Sequence, residues 1–168
     1  MIGVNHYVTS ERYLDENLNQ HETRTHSGNG RHCYADTEVV RAVPDQRLGV
    51  ANLLLQAWER YRLPIVVTEA HLGDCVDEQK RWLGEVWQQA EQARLAGADV
   101  RAVTAWALFG LYDWHCLLSR QENRHEPGVF DVGSGRPQPT GLADMVRHLA
   151  TGRSVSALVP PGLVAGQR

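Results

Sequence analysis

An acidic residue closes one of the apolar segments of this chain. Ile65-Val66-Val67 is a short β-prone run, and Thr68-Glu69 ends it. A carboxylate gains nothing from packing in such a run, and acids at the carboxyl ends of buried strands are active-site candidates. The alternative is a salt-bridged glutamate at the mouth of a strand. Periodicity leaves both open, and Glu69 is the first candidate for chemistry.

The elements that must position Glu69 alternate along the chain. β-prone segments predict strands over residues 2–8, 64–69 and 100–106, and amphipathic segments predict helices over 48–61, 77–97 and 139–152. This alternation predicts an α/β fold with a parallel sheet and outer helices. Long loops over 15–45 and 107–138 follow strands and share the carboxyl face of the sheet. The third strand is largely apolar, which predicts that both of its faces are covered.

Three segments, in order, resemble the family 1 glycoside hydrolases. They are Gly3-Val4-Asn5-His6-Tyr7-Val8-Thr9, Val67-Thr68-Glu69, and Ala105-Trp106-Ala107-Leu108 with Asp113-Trp114 after it. The resemblance covers residues 2–150. It implies an α/β fold that is part of a TIM (β/α)8 barrel, roughly strands 6 to 8 with their helices. Residues 1–153 would be this C-terminal barrel part, and residues 154–168 an irregular tail.

The resemblance also implies roles for individual residues. Glu69 matches the nucleophile, Tyr7 the tyrosine that hydrogen-bonds it, and Asn5 a polar residue near the scissile sugar. The sugar-binding group would comprise Trp106, Asp113 and Trp114. An indole stacks on the apolar face of a pyranose and a carboxylate accepts from its hydroxyls. Core packing is the alternative for Trp106, and Asp113 stands where the family has glutamate, which leaves the sugar open.

His71 marks a divergence from the family pattern. The chain reads Thr68-Glu69-Ala70-His71 where the family has Asn-Gly after the glutamate. His71 is a candidate to bind substrate or to tune the nucleophile. The alternative is a loop histidine with a backbone partner.

The second carboxylate of a retaining glycosidase has no clear candidate here. Such enzymes use two carboxyl groups about 5 Å apart, one attacking and one protonating the leaving group. The family's acid/base lies in an Asn-Glu-Pro motif at the fourth strand. Glu126-Pro127 follows His125 and comes after the last predicted strand, so it does not match that motif. We interpret it as a structural segment. Glu11, in the loop after the first strand, matches no catalytic role of the family. We therefore expect an incomplete barrel with open sheet edges. Its catalytic site would require the N-terminal barrel half or a homo-oligomer.

Composition excludes several other classes of function. The net charge is −3 with scattered basic residues, so no nucleic-acid partner is expected. No apolar run approaches about 20 residues and no signal peptide is evident, which predicts no membrane association and a cytoplasmic location. Three widely spaced cysteines are interpreted as reduced thiols. His21, His26, His32 and Cys33 invite a zinc site, but their spacing fits no standard finger, and neither a metal nor a cofactor is predicted.

Three hypotheses for the function remain in competition. The leading one is a glycoside-hydrolase-like domain with a carbohydrate or glycoside ligand. Similar barrels occur fused to dTDP-4-dehydrorhamnose reductase-like domains, but this chain has no Gly-x-Gly-x-x-Gly segment for a reductase activity of its own. The second is a non-catalytic sugar-binding or interaction module, which would associate with such a nucleotide-sugar enzyme. The third is an inactive fragment.

Overall fold

The computed structural model describes residues 1–73 and 75–153, which form two compact units. The first unit comprises residues 1–6 and 49–153, and the second comprises residues 7–48. The irregular tail predicted over residues 154–168 lies outside the described residues.

The secondary structure consists of short strands and four helices in the described part of the chain. The strands are β1 Ile2–Asn5, β2 Arg12–Asp15, β3 His26–Gly28, β4 Cys33–Glu38, β5 Ile65–Ala70, β6 Val100–Ala105, β7 Leu111–Tyr112, β8 His125–Glu126, β9 Phe130–Asp131 and β10 Gln138–Pro139. The helices are α1 Val39–Ala42, α2 Gly49–Tyr61, α3 Val76–Leu95 and α4 Gly141–Ala150. None of these helices is both long enough and apolar enough to cross a bilayer.

The first unit is built on a three-stranded parallel sheet in the order β1-β5-β6. The predicted α/β alternation and the parallel pairing are therefore confirmed. Helix α2 leads into β5, and α3 connects β5 to β6, as parallel neighbours require a crossover. The carboxyl ends of all three strands lie at one edge of the sheet.

One face of this sheet and the helices enclose the core. Ile65 and Val67 of β5 are fully buried, together with Leu54 of α2, Trp82 of α3 and Met145 of α4. Burial of each such side chain stabilises the fold by about 1.5–3 kcal/mol. Since the apolar residues of each helix recur at helical spacing, the core face of the helices follows from the sequence pattern.

The prediction that both faces of the third strand are covered is wrong. Val100 of β6 is buried, but Arg101, Ala102 and Thr104 are exposed. β6 is an edge strand of the described sheet. The run looks apolar because of small residues such as Ala102, which tolerate exposure at little cost.

The second unit corrects the prediction of a long loop over residues 15–45, because part of this segment forms strands. β2, β4 and β3 form an antiparallel sheet in the order β2-β4-β3. Arg12 pairs with Asp36 across β2 and β4 at 2.7 Å, and the Glu11 carbonyl accepts from the N–H of Val39 at 2.9 Å. These strands are three to six residues long and mostly half-buried or exposed. They therefore lack the apolar alternation by which strands are recognised.

The segment after β6 folds back on itself through two close backbone approaches. A Cβ on Gly128 would lie 2.0 Å from the carbonyl oxygen of Ala107, and one on Gly110 would lie 2.2 Å from that of Glu126. The Ala107 carbonyl accepts from the N–H of Val129 at 3.0 Å. Only glycine fits at these two positions, and the predicted loop over 107–138 is an ordered return segment.

Candidate functional site

Glu69 lies at the end of the central strand of the parallel sheet, where the strand is irregular. Val4 is in register with Val67, whereas the next residue, Asn5, is in register with Glu69. The pairing of β5 with β6 is also irregular between Val67 and Ala70. A β-bulge next to a strand end re-aims the side chains that follow it. The bulge thus places Glu69, half-buried, beside Asn5 at the carboxyl edge.

Thr68, the extra residue of the bulge, holds the side chain of Asn5. Its hydroxyl donates to the Oδ1 of Asn5 and lies 3.2 Å from the Val4 carbonyl oxygen. Because Oδ1 accepts this bond, the Nδ2 group of Asn5 points the other way. Gly3 makes room for Thr68, since a Cβ on Gly3 would lie 2.9 Å from the Thr68 methyl carbon.

Two of the predicted sugar-binding residues form an aromatic pair near the end of β6. The ring centroids of Trp106 and Trp114 are 4.9 Å apart with an angle of 70° between the planes. This edge-to-face geometry is favourable for indoles. Both side chains are half-buried. The N–H of Trp106 donates to the carbonyl of Ala70 at 3.2 Å, and the Trp106–Ala107 peptide is cis. The pair is thus tied to the residue that follows Glu69.

Asp113 uses its carboxylate to hold the protein's own backbone. It is 7% exposed and has a left-handed φ of 55°, which aspartate tolerates. Its two oxygens accept from the N–H groups of Glu122, Asn123 and Arg124 at 2.8–3.1 Å. Burial acts to raise the pKa of Asp113, but these backbone donors outweigh it and the pKa lies below its usual value. The geometry supports a role in closing the loop that carries Trp114, and the predicted contact with sugar stays a prediction.

His71 is 5% exposed, and both of its ring nitrogens have partners. Nδ1 lies 2.9 Å from the carbonyl oxygen of Trp106, and Nε2 lies 3.3 Å from the Oε2 of Glu126. The ring also meets the Trp106 indole edge-on, with centroids 5.2 Å apart. This arrangement favours the alternative of a histidine with a backbone partner. A contact between His71 and substrate stays a prediction.

Glu126 belongs to this cluster, although the sequence motifs did not indicate it. It is interpreted above as part of a structural segment, and its side chain is only 4% exposed. Its partner His71 lies 55 positions away in the chain. A charged residue that is almost fully buried is rare unless paired, but no local pattern reveals a partner at that distance.

The remaining predicted residues lie in the second unit. Tyr7 is half-buried, its N–H donates to the Ser10 hydroxyl at 2.8 Å, and its carbonyl accepts from the Ser10 N–H at 2.9 Å. In the His-rich segment, His21 pairs with Asp15 at 2.9 Å, and this bond lowers the pKa of Asp15. His26 bonds backbone carbonyls. Among residues 1–73 and 75–153, no group of three potential metal ligands is assembled.

A groove of about 240 Å³ lies elsewhere in the first unit, along α3 and β6. It is lined by Trp87, Glu91, Arg94 and Arg101 among others. None of the residues predicted to bind sugar lines it. The groove therefore plays no part in the candidate site.

Comparisons with known proteins relate part of the chain to β-glycosidases. No family model matches. The β-galactosidase of Sulfolobus acidocaldarius is 36% identical over 67 residues, which are 39% of this chain and 14% of that protein. The β-galactosidase of Saccharolobus solfataricus is 27% identical over 128 residues, 67% of this chain and 24% of that protein.

Solved structures give the same relationship. The β-glucosidase of Pyrococcus furiosus is 26% identical with a TM-score of 0.53, over 65% of this chain and 24% of that one. A β-glucosidase mutant derived from a hyperthermophilic tetrameric structure is 26% identical with a TM-score of 0.55, over 70% and 25%. The chain spans a quarter or less of the length of each of these relatives. The chain has a mixed α/β structure, and part of it is similar to β-glycosidases in sequence and in fold.

Proposed function

We propose that the chain is a glycoside-hydrolase-like domain that acts on O-glycosyl bonds by a retaining mechanism, with Glu69 as the nucleophile. The observation that carries the proposal is the bulge at Thr68, which brings Glu69 into register with Asn5 at the carboxyl edge of a parallel sheet. In this proposal β1, β5 and β6 correspond to the sixth, seventh and eighth strands of a (β/α)8 barrel, whose active sites lie at that edge.

The proposed chemistry begins with attack by the Glu69 carboxylate on the anomeric carbon. The bond from that carbon to the leaving-group oxygen breaks, and the leaving group departs with its electron pair. Water then hydrolyses the glycosyl ester and restores the carboxylate. Asn5 would donate to a sugar hydroxyl through its Nδ2 group, because its Oδ1 already accepts from Thr68.

Trp106 and Trp114 would supply the apolar surface for the sugar ring. By the family resemblance, Tyr7 would donate a hydrogen bond to the nucleophile. Protonation of the leaving group is assigned to an acid on a further part of the barrel, since the matched relatives are about four times longer than the matched segment.

The test is release of nitrophenol from p-nitrophenyl β-D-galactoside and β-D-glucoside by the chain, alone and with the remaining barrel units supplied. Activated leaving groups need little acid assistance, so the nucleophile can act without its partner. We expect a burst of nitrophenol that Glu69→Gln abolishes. Glu91→Gln is the matched control, because Glu91 is, like Glu69, a half-buried acid, and it lies on α3 paired with Arg94. An equal burst from Glu69→Gln, or no release from any assembly, would refute the nucleophile.

The second candidate function is a non-catalytic sugar-binding or interaction module that would associate with a dTDP-4-dehydrorhamnose reductase-type enzyme. The aromatic pair of Trp106 and Trp114 favours it, because such a pair binds a sugar without any catalytic acid. Binding of a glycoside that survives Glu69→Gln, without hydrolysis by any assembly, would identify this function.

A further inference from the structure

The buried pair of His71 and Glu126 joins three segments of the first unit. His71 follows β5, Glu126 ends β8, and the carbonyl that His71 contacts belongs to Trp106, directly after β6. Both side chains are 4% exposed. The pair is therefore shielded from solvent and connects the strand end of Glu69 with the indole of Trp106.

The partners of His71 dictate where its protons lie. A carbonyl oxygen can only accept, so the Nδ1 facing Trp106 carries a proton. The contact of Nε2 with the Oε2 of Glu126 then requires a second proton between these two atoms. Without it, two lone pairs would face each other at 3.3 Å. The Oε1 of Glu126 has no hydrogen-bond partner among the described residues, so Oε2 is the oxygen that this pairing engages.

The loop after Glu69 is shaped around this carboxylate. A Cβ on Gly73 would lie 3.1 Å from the Oε2 and 3.3 Å from the Oε1 of Glu126. Glycine at position 73 thus lets the carboxylate lie directly against the backbone. A methyl group there would push the carboxylate by a few tenths of an ångström without removing any polar group.

We propose that Glu126 is a positioning residue for the aromatic surface formed by Trp106 and Trp114. Glu126 fixes the proton and the orientation of His71. The His71 ring, perpendicular to the Trp106 indole, and its bond to the Trp106 carbonyl then set the orientation of that indole against Trp114. The effect of Glu126 on sugar affinity rests on the proposed sugar-binding function, whereas its effect on the geometry of the two indoles does not.

The first measurement is the protonation of the His71 ring in the full chain labelled with ¹⁵N-histidine. Nuclear magnetic resonance distinguishes a protonated from an unprotonated ring nitrogen, and His71→Gln assigns the signals. We expect Nδ1 to carry a proton at neutral pH. An unprotonated Nδ1 overturns the inference, whether or not the protein binds sugar.

The second measurement follows the two indoles by circular dichroism, because closely spaced indoles give an exciton couplet. Trp106→Phe and Trp114→Phe identify the couplet. Glu126→Gln keeps a group that donates to a neutral His71, so we expect it to retain the couplet. Glu126→Leu has a similar volume without that group, and we expect it to lose the couplet. Retention of both the couplet and the His71 signals in Glu126→Leu overturns the inference.

The third measurement is the affinity for p-nitrophenyl β-D-galactoside or β-D-glucoside. We expect Glu126→Leu to weaken binding about tenfold, which corresponds to about 1.4 kcal/mol. Glu126→Gln should stay within about threefold of the wild-type affinity. If the wild type binds neither glycoside, the proposed function fails while the couplet still decides the positioning role. If Glu126→Leu does not fold, Gly73→Ala replaces it, and an unchanged couplet in Gly73→Ala overturns the inference.

Discussion

Asn5 and Glu69 are register partners across β1 and β5, although an unbroken ladder would have paired Asn5 with Thr68. The single extra residue in β5 changes which side chain stands next to Asn5 at the carboxyl edge of the sheet. Thr68 then bonds Asn5 through its hydroxyl instead of occupying the position itself. The residue in register with Asn5 consequently carries a carboxylate, which can attack an electrophile.

The hydroxyl of Thr68 is expected to matter for ligand affinity more than for folding. Thr68→Val keeps the shape of the side chain but removes the donor that orients Asn5. A hydrogen bond of this kind contributes about 0.5–1.5 kcal/mol, so we expect glycoside affinity to fall about three- to tenfold. Isothermal titration calorimetry measures the change.

Thr104→Val is the matched control for that experiment. Thr104 is also an exposed threonine of the parallel sheet, on β6. The Thr104→Val variant should leave the affinity for the glycoside unchanged. Equal losses in the two variants would show that Asn5 is not oriented through Thr68.

Removal of the Trp114 indole is expected to weaken glycoside binding. Trp114→Ala deletes one half of the aromatic pair and the apolar area it offers to a sugar ring. The burial of a large apolar side chain is worth about 1.5–3 kcal/mol, which predicts a loss of about 10- to 100-fold in affinity. Trp87→Ala is the control, since Trp87 is a half-buried indole that lines the groove along α3 and β6, away from the candidate site. Similar losses in both variants would remove Trp114 from the site.

The charge of Asp113 is expected to stabilise the loop after β7 in a pH-dependent way. Its pKa in the folded protein lies below its usual value of about 3.9 because, against the effect of burial, three backbone N–H groups donate to it. A lowered pKa means that the stabilisation is fully present above the unfolded value and is lost as pH falls through the folded value. Asp113→Asn tolerates the same left-handed φ but lacks the charge.

Urea denaturation across a pH series measures this effect. The wild type should unfold at higher urea than Asp113→Asn at pH 7, and the difference should shrink as the pH falls below about 4. Asp144→Asn, an exposed acid on α4 paired with Arg147, should change stability little. A difference between wild type and Asp113→Asn that does not depend on pH would contradict the assignment.

The close approach at Gly128 predicts a strong effect on folding. A methyl group there would meet the Ala107 carbonyl oxygen at 2.0 Å, so the return segment must move away from the end of β6. Overpacking typically costs about 1–3 kcal/mol, and Gly128→Ala should lower the free energy of unfolding by at least that much. Gly141→Ala places its methyl group at an ordinary 3.5 Å from Lys80 and Val76. It should be neutral or stabilising, and equal effects would refute the packing argument.

The helices and parallel strands of the first unit could be predicted from the sequence alone. Apolar residues at helical spacing define α2, α3 and α4, and the β-prone runs before Asn5, Glu69 and Trp106 define the strands. These signals are local, because a side chain's burial repeats with the geometry of its own element. Alternation of strands and helices then leaves a parallel sheet as the simplest arrangement, and puts Glu69 at its carboxyl edge.

Only the tertiary structure decided the details of the candidate site. The bulge at Thr68 depends on the registers of two neighbouring strands, and the pairing of His71 with Glu126 joins positions 55 residues apart. The occupation of the Asp113 carboxylate by its own loop also depends on how the chain returns after Trp114. Periodicity describes which face an element buries, whereas these contacts depend on which elements meet. The sequence therefore determines the scaffold and the candidate nucleophile, and the packing of distant segments determines what surrounds it.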